Sequence, residues 1–593
     1  MSARSRGTPR LFAACLAACI AIGLPAPSVL AEQASDKIAP ESATGFVSRP
    51  PVTARKWMVV AANPHAARTG EAILAQGGNA VDAMVGVQLV LGLVEPQSSG
   101  LGGGAFAVYF DAASGNMTTF DGRETAPAEA TPDLFIGEDG KPMKFFDAVI
   151  GGRSVGTPGT VALLEAMHRK YGKLPWASLF APAIALAKDG FAVSPRLNTL
   201  VADSAESLFQ YERTRKYFFS EEGVPIFAGT ILKNAEYAAT LEAIARDGAA
   251  AFYSGEIARD IVDTVRNAPG NPGRLSLADL ANYKVVEREP VCVNYRAHDI
   301  CGMGPPSSGA LTVGQILKLA EPSDLKALGP ENPESWRIIG DASRLAFADR
   351  GLYMADSDFV KMPKGLLNAA YLAERAKLLA GPNALAPEAV TAGEPPFDHA
   401  MIYAPDQAIE FPSTSHFSIV DAEGNVLSMT TTIENGFGSR LMVRGFLLNN
   451  ELTDFSFVPE SNGNPVANRV EPGKRPRSSM APTIILKDGR PVMAVGSPGG
   501  SRIIGYVAKT IIAHIDWGMN AQQAVSLPHL VNRFGTYDIE EGTSATQLAP
   551  ALSAMGYKVE AKELNSGLHV IVIGKDGLEG GADPRREGLA IGQ

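Results

Sequence analysis

The sequence predicts an α+β protein, and three observations carry that reading. Residues 414–593 are dense in strand and turn signals, residues 160–285 read mainly as helices, and a Pro-rich stretch with few periodic apolar residues separates the two. At 593 residues the chain can bury a large core, as several domains or as one large α/β unit.

The first residues read as an export signal. Arg4, Arg6 and Arg10 make a basic start, Leu11 to Leu24 an apolar core, and Pro25 to Ala31 a helix break with small residues. Residues 1–31 are therefore expected to be a signal peptide, cut after Ala31, which implies a periplasmic or secreted protein. The apolar run is too short and too rich in small residues for a membrane span. Leu16-Ala17-Ala18-Cys19 also looks like a lipoprotein signal, which Ile20-Ala21-Ile22 beyond it fits poorly. Removing residues 1–31 takes away three arginines and moves the net charge from −10 to −13. No block of Lys/Arg stands out, which disfavours nucleic acid as a partner. Cys292 and Cys301 are the cysteines left after that cut; in an oxidising compartment they can close a small disulfide loop, or they are two buried thiols. No Cys/His cluster has metal-ligand spacing, so no metal is expected.

After a polar leader, residues 32–54, Met58 to Ala62 reads as a short buried strand. Gly70 to Val94 gives two helices broken at Gly77-Gly78; the second, from Ala80 to Leu91, is apolar nearly all round and belongs in the core. The glycines from Gly100 to Gly104 precede a strand instead of opening a helix, so close backbone packing explains them better than a phosphate cradle. A strand over Met117 to Phe120 leads to Arg123. An arginine at a strand end can hold a carboxylate with its planar fork, or make an ordinary surface ion pair. Trp176 to Asp189 and Ala235 to Asp247 are the clearest amphipathic helices. Strand-like runs around Cys292 and Cys301 follow, then helices at Ala310 to Leu319, Glu334 to Tyr353 and Ala370 to Leu379. Residues 380–413 form a linker expected to run over the surface.

Beyond the linker the chemistry concentrates. Ser415 to Val420 and Val426 to Thr432 flank the turn cluster Asp421-Ala422-Glu423-Gly424-Asn425, which predicts a β-hairpin. A threonine hydroxyl is a poor nucleophile unless a base sits beside it, and its own α-amino group is such a base once the chain is cut before it. Ser413-Thr414 is thus a candidate self-cleavage site and Thr414 a candidate nucleophile; a strand whose hydroxyls only satisfy backbone groups is the alternative. Thr483 to Val495 and His569 to Leu578 hold two further hairpins. Gly496-Ser497-Pro498-Gly499-Gly500-Ser501-Arg502 runs directly into an apolar helix. Backbone N–H groups of the glycine pair can face a developing negative charge, or the segment is a tight strand-to-helix turn.

Seven motifs occur together in one order: Gly77 to Ala83, Gly100 to Gly104, Arg123 to Pro127, Thr414-Ser415-His416, Leu447 to Glu451, Arg475 to Met480, and Gly496 to Arg502. From about Met58 to Arg585 the sequence resembles the γ-glutamyltransferase family of N-terminal-nucleophile hydrolases. The resemblance implies a four-layer αββα sandwich in one compact unit, and self-cleavage into a large subunit (body 55–413) and a small catalytic subunit (414–593). It implies Thr414 as nucleophile, Thr432 holding it in place, and Gly499 and Gly500 as the oxyanion hole. Arg123, Ser478 and Ser479 would grip the donor's α-carboxylate, and Glu434, Glu451 and Asp454 its α-ammonium. His416 is read as a structural hydrogen-bonder. The implied reaction is hydrolysis or transfer of the γ-glutamyl group of glutathione and related γ-glutamyl compounds to water, amino acids or dipeptides, without a cofactor.

One departure from many bacterial members stands out. Phe457 to Gly473 is shorter than their lid over the donor and has no tyrosine, which predicts a more open donor pocket. Within the same fold, a glutaryl or cephalosporin acylase is the runner-up, and an uncleaved secreted binding protein is the reading from another class. Three acids at 434, 451 and 454 favour an ammonium-bearing donor.

Overall fold

The computed structural model describes residues 43–397, 402–406 and 408–593. The expected signal peptide and the first part of the polar leader lie outside the described residues. Two seven-stranded sheets form the centre. Edge to edge, the first runs Val52–Ala54, Gly577–Ala582, His569–Gly574, Arg490–Gly496, Thr483–Lys487, His298–Gly302, Val291–Tyr295. The second runs Leu589–Gly592, Met58–Ala61, Ser415–Val420, Val426–Thr432, Gly104–Asp111, Asn116–Gly122, Val286–Arg288. All neighbouring strands in both are antiparallel. Each sheet takes strands from both sides of residue 413.

Successive side chains of a strand point to opposite faces, and here both faces are covered. Met58, Val60, Val108, Phe110, Val420 and Val426 of the second sheet meet Ile484, Ala494, Ile571 and Leu578 of the first. Their neighbours Val59, Ala61, Ala107, Tyr109, Phe417, Ile419, Leu427 and Met429 pack outward on helices that include Pro64–Ala75, Ala80–Val94, Thr160–Tyr171 and Ala235–Asp247. On the far side, Ile300, Ile485, Met493, Val495 and Val570 pack against Gly309–Ala320, Pro333–Tyr353 and Ile503–Ile515. This double burial explains why Ala80–Val94 is apolar all round. Its one acid, Asp82, is spent on the helix start, where it completes a capping box with Asn79 and accepts from the Lys173 and Leu174 N–H groups.

The predicted hairpin lies at the middle of the second sheet. Ser415 pairs with Thr431 and Val420 with Val426, in unbroken register. Asp421 organises the turn: Oδ1 accepts from the N–H groups of Glu423 and Asn425, while Oδ2 accepts from Asn425 Nδ2 and from the Ala80 N–H at the helix start. Gly424, at φ 88°, supplies the left-handed residue the turn needs. The Ser and Thr side chains facing the first sheet join the two sheets by hydrogen bonds. Ser428 Oγ donates to the Val495 carbonyl and accepts from the Thr483 N–H, both at 3.1 Å.

Two expectations change. The last residues of the polar leader, Val52–Ala54, are an edge strand paired with Leu578 to Gly580, because the first sheet would otherwise end on an open edge there. Trp176 to Asp189 is a short 3-10 turn, Trp176–Phe180, followed by the helix Ala181–Asp189 that Pro182 opens. Cys292 and Cys301 are directly opposed on neighbouring strands and joined as a disulfide. Among the described residues no helix is long and apolar enough to cross a membrane.

Ser428→Ala removes a buried acceptor and strands the Thr483 N–H between two sheets. A loss of about 1–3 kcal/mol is expected in urea unfolding, and an unchanged midpoint would show that the bridge contributes nothing.

Candidate active site

Continuing the hairpin register one residue beyond the Ser415–Thr431 pair brings Thr414 opposite Thr432. The Thr414 hydroxyl lies 3.3 Å from Thr432 Oγ1, which also accepts from the Glu434 N–H at 2.8 Å. Thr414 has φ 126°, a conformation that a β-branched residue adopts only under constraint. Its neighbours show the constraint. Ser413 Oγ donates to the Gln97 carbonyl, Arg586 donates to the Thr414 carbonyl at 3.1 Å, and Ser415 Oγ donates to Glu95 at 2.8 Å. Burial pushes the Glu95 carboxyl up to about 7, against the pull of Arg196, Arg586 and the Ser415 hydroxyl.

A cavity of about 20 Å³ opens beside Thr414, lined by Arg123, Thr432, Glu434, Glu451, Asp454, Ser478, Ser479 and Gly500 together with Glu410 and Phe411. The residues singled out from sequence thus converge, with Gly499 adjoining through Gly500 and Ser413 buried on the other side of Thr414. Gly499 (φ 133°) and Gly500 (φ 57°) form the entry to the helical segment Gly500–Arg502 and Ile503–Ile515, where the first N–H groups have no helical partner. A Cβ on Gly500 would lie 2.6 Å from the Phe411 carbonyl oxygen, so the chain just before Thr414 passes against this turn. Cys292–Cys301 lies elsewhere, in the edge hairpin of the first sheet. His416 is buried between Thr430 and Ser418, 2.9 Å and 3.2 Å from its two ring nitrogens. Burial, then neighbouring His569, holds it well below the usual imidazole range, so it is neutral.

Charge is distributed differently from the expected division into one cation for a carboxylate and acids for an ammonium. Arg123 is buried and its guanidinium is ion-paired with Glu451 and with Asp454, and it also donates to the carbonyls of Pro476 and Arg477. Glu434 accepts from Asn450 Nδ2 and from the Phe411 N–H. Glu124, which sequence reading passed over as part of a motif, adds a fourth buried acid, beside Glu451. Burial raises all four carboxyls, and repulsion raises three of them further: Glu451 acts on Glu124, Asp454 and Glu451 on Glu434, and Glu451 on Asp454, whereas Arg123 and hydrogen bonds with its neighbours draw Glu451 back down. One arginine serves four buried carboxyls, so the cavity is short of positive charge.

Two further expectations fail here. The linker does not run over the surface to Thr414, for Glu410, Pro412 and Ser413 are buried. Glu410 is bound by Arg350, Arg477 and Ser479, and Phe411 stacks on Phe145 with ring centroids 4.3 Å apart. For the same reason the cavity is not open, against the expectation of a more open donor pocket: Glu410 and Phe411 wall it in beside Thr414. Phe457 stacks on Phe135 at 4.4 Å. No sequence signal marked Arg350, near the end of a long helix, or Glu410, within a Pro-rich stretch. Among the described residues no group of His, Cys, Asp and Glu is arranged to hold a metal ion.

A buried hydroxyl held against a second hydroxyl, beside a glycine-led helix entry and a strongly charged cavity, is equipment for acyl transfer through a covalent ester. A family profile described as gamma-glutamyltranspeptidase matches residues 66–593. The glutathione hydrolase proenzyme of Bacillus subtilis (strain 168) is 37% identical over 548 residues, covering 90% of this chain and 91% of that one. The glutathione hydrolase proenzyme of Escherichia coli (strain K12) is 38% identical over 547 residues, with the same coverage. Among solved structures, the cephalosporin acylase from Bacillus halodurans superposes with a TM-score of 0.79 at 25% identity, over 93% of this chain and 99% of that one. The chain belongs to the γ-glutamyltranspeptidase family and is an enzyme of that family.

The Glu95 carboxyl generates a pH prediction. Raised to about 7 in the fold against an ordinary 4.5, it favours the folded state fully below 4.5, and that contribution is lost as pH rises through 7. Glu95→Gln, neutral throughout, is expected to reduce the fall in stability between about pH 5 and about pH 8, by on the order of 3 kcal/mol. Parallel pH–stability curves for the two proteins would contradict this.

Proposed function

We propose that the chain cuts itself between Ser413 and Thr414, and that the two pieces, staying together, hydrolyse and transfer γ-glutamyl groups of glutathione and related compounds. The observation that carries the proposal is the strained Thr414, hydrogen-bonded to Thr432 at the edge of a cavity walled by Glu434, Glu451 and Asp454. In self-cleavage the Thr414 hydroxyl attacks the Ser413 carbonyl carbon, the amide nitrogen leaves as the Thr414 amine, and water hydrolyses the resulting ester. Relief of the backbone strain at Thr414 favours this direction.

In turnover Thr414 Oγ1 attacks the donor's γ-carbonyl and gives its proton to its own amine. That proton passes to the departing amine, and a γ-glutamyl ester remains on Thr414. Water or an acceptor amine then releases it. Thr432 orients the nucleophile, and the N–H groups of Gly499 and Gly500 stabilise the oxyanion. Glu434, Glu451 and Asp454 bind the donor's ammonium, which supplies the positive charge their cavity lacks. Ser478 and Ser479 belong to the carboxylate side, while Arg123 is held among the acids by Glu451 and Asp454. The two sheets with helices on both outer faces support the reading as an αββα sandwich of the N-terminal-nucleophile hydrolase type. Since each sheet interleaves strands from before and after residue 413, the pieces 55–413 and 414–593 form a heterodimer that cannot separate without unfolding. The basic and apolar first 31 residues support a periplasmic or secreted location.

The likeness to a cephalosporin acylase keeps a second reading in view, a donor with no ammonium group. The acid-rich cavity favours the first. Mass spectrometry of purified protein should give two masses split at Ser413/Thr414, and one unsplit mass for Thr414→Ala. Kinetics should give a kcat/KM for a γ-glutamyl anilide at least about tenfold above that for the matching glutaryl anilide, the worth of about 1.4 kcal/mol of ammonium binding. An intact wild-type chain that still turns over the donor would end the mechanism, and a preference for the glutaryl compound would select the acylase reading.

The short segment after Phe457 leads to a further expectation once Glu410 and Phe411 have left. Water should reach the ester readily, so hydrolysis dominates at low acceptor. Product ratios with and without added Gly-Gly measure this, and efficient transfer at low Gly-Gly would count against an open pocket.

A further inference from the structure

Among the described residues of the linker, Glu410 is the charged one that lines the donor cavity, and its surroundings are built for a carboxylate. One oxygen is paired with Arg350 and lies 3.5 Å from Arg477 Nη2; the other accepts from Ser479 Oγ. Arg350 Nη2 also donates to Ser479 Oγ at 2.7 Å, and its Nε to Ser308 Oγ at 2.8 Å. Arg477 Nη1 donates to the Arg350 carbonyl. All these side chains are buried. Burial opposes ionisation of Glu410, yet Arg350 and Arg477, with the hydrogen bonds from Arg350 and Ser479, hold its carboxyl at about 2.

The partners of the two arginines are telling. Among the described residues, the acids within ion-pair distance of Arg477 are Asp406, at 2.8 Å, and Glu410, and the acid within that distance of Arg350 is Glu410. Both acids precede the Ser413–Thr414 bond, in the segment that cleavage sets free to leave. Arg123, by contrast, is already engaged by Glu451, Asp454 and two carbonyls.

We infer that Glu410 is a tethered stand-in for the donor's α-carboxylate, and that in the cut enzyme Arg350 and Arg477, with Ser479, take that carboxylate. The inference rests on the cleavage and donor class proposed above, and adds to them two residues and a position for the anion. Withdrawal of the segment leaves two neighbouring buried guanidiniums without a carboxylate, and such charges demand replacement of the anion. The arriving carboxylate supplies it, on the side of the cavity opposite in charge to the four acids. Uncut chain is closed to donor for the same reason: its own carboxylate holds the place.

Two measurements on the full protein test this. The first compares a γ-glutamyl anilide with a 4-aminobutyryl anilide, the same donor without its α-carboxylate. The ratio of their kcat/KM values should fall at least about tenfold in Arg477→Gln and by no more than about threefold in Arg477→Lys, which keeps the charge. Variants are read only after a gel shows both subunits, which certifies folding. The second uses wild-type enzyme and the free pentapeptide Ile-Glu-Phe-Pro-Ser, the sequence of residues 409–413, against its Gln form. The Glu peptide should compete with donor at least about tenfold more strongly. A processed Arg477→Gln enzyme with the wild-type ratio overturns the inference; where neither arginine variant processes, equal inhibition by the two peptides does so. Failure of the wild type to turn over γ-glutamyl anilide is a different result, which removes the proposed donor class and this inference with it.

Discussion

The pairing of Ser415–Val420 with Val426–Thr432 is the constraint on which the rest depends. A one-residue slip would exchange the faces of every side chain in the hairpin, moving Phe417 and Ile419 out of the helical layer and His416 into it. The register is held at one end by Asp421, which closes the turn and caps the Ala80 helix, and along its length by hydroxyls bonded to the other sheet. At the open end it delivers Thr414 to Thr432. The strain there, on the order of 1–3 kcal/mol for a φ of this kind, persists because Gln97, Arg586 and Glu95 hold the residues on either side. The site is thus a product of the sheet's centre, not of a surface loop.

What could be read from sequence follows the range of the interaction. The hairpin, the glycine turn before Ile503, the buried Ala80 helix and the amphipathic Ala235–Asp247 are written in local patterns of period two or 3.6 with turn residues between them, and they appear where expected. Residues joined by distant contacts left no such trace. Glu410 and Arg350 are sixty positions apart, and Ser415 and Glu95 three hundred and twenty. Composition marked residues 380–413 as lacking periodicity, which is true, and hence as surface, which is false at Glu410 and beyond. A segment can be held by one carboxylate and one stacked ring without any repeating pattern. Val52–Ala54 escaped notice for a related reason: three residues are too few to alternate.

The short reach of those local patterns also explains the treatment of Arg123. Its place at a strand end next to Gly122 was legible, but whether it serves a ligand or a neighbour depends on which acids the fold brings to it. The fold brings Glu451 and Asp454, from a turn more than three hundred residues on, and leaves Glu124 and Glu434 unneutralised nearby. Four carboxyls around one guanidinium hold their protons more tightly than ordinary carboxyls do, because burial opposes their ionisation.

The cavity therefore has two unlike ends, and each explains the other. At one end buried acids lack a cation. At the other, Arg350 and Arg477 are satisfied by Asp406 and Glu410 from the chain's own linker. An α-amino acid carries the two missing charges on a single carbon, so a donor of that kind answers both deficits at once, whereas glutaryl answers one. In the uncut chain the linker meets the anionic demand and closes the space with Phe411, and the N–H of Phe411 lies on Glu434 as a weak surrogate for the cation. On the proposed mechanism, cutting at Ser413 does more than free an amine: it releases one of the two ends by which the linker is held over the cavity. The surrogate contacts are then weaker, and a dissolved donor that also brings an ammonium can displace them.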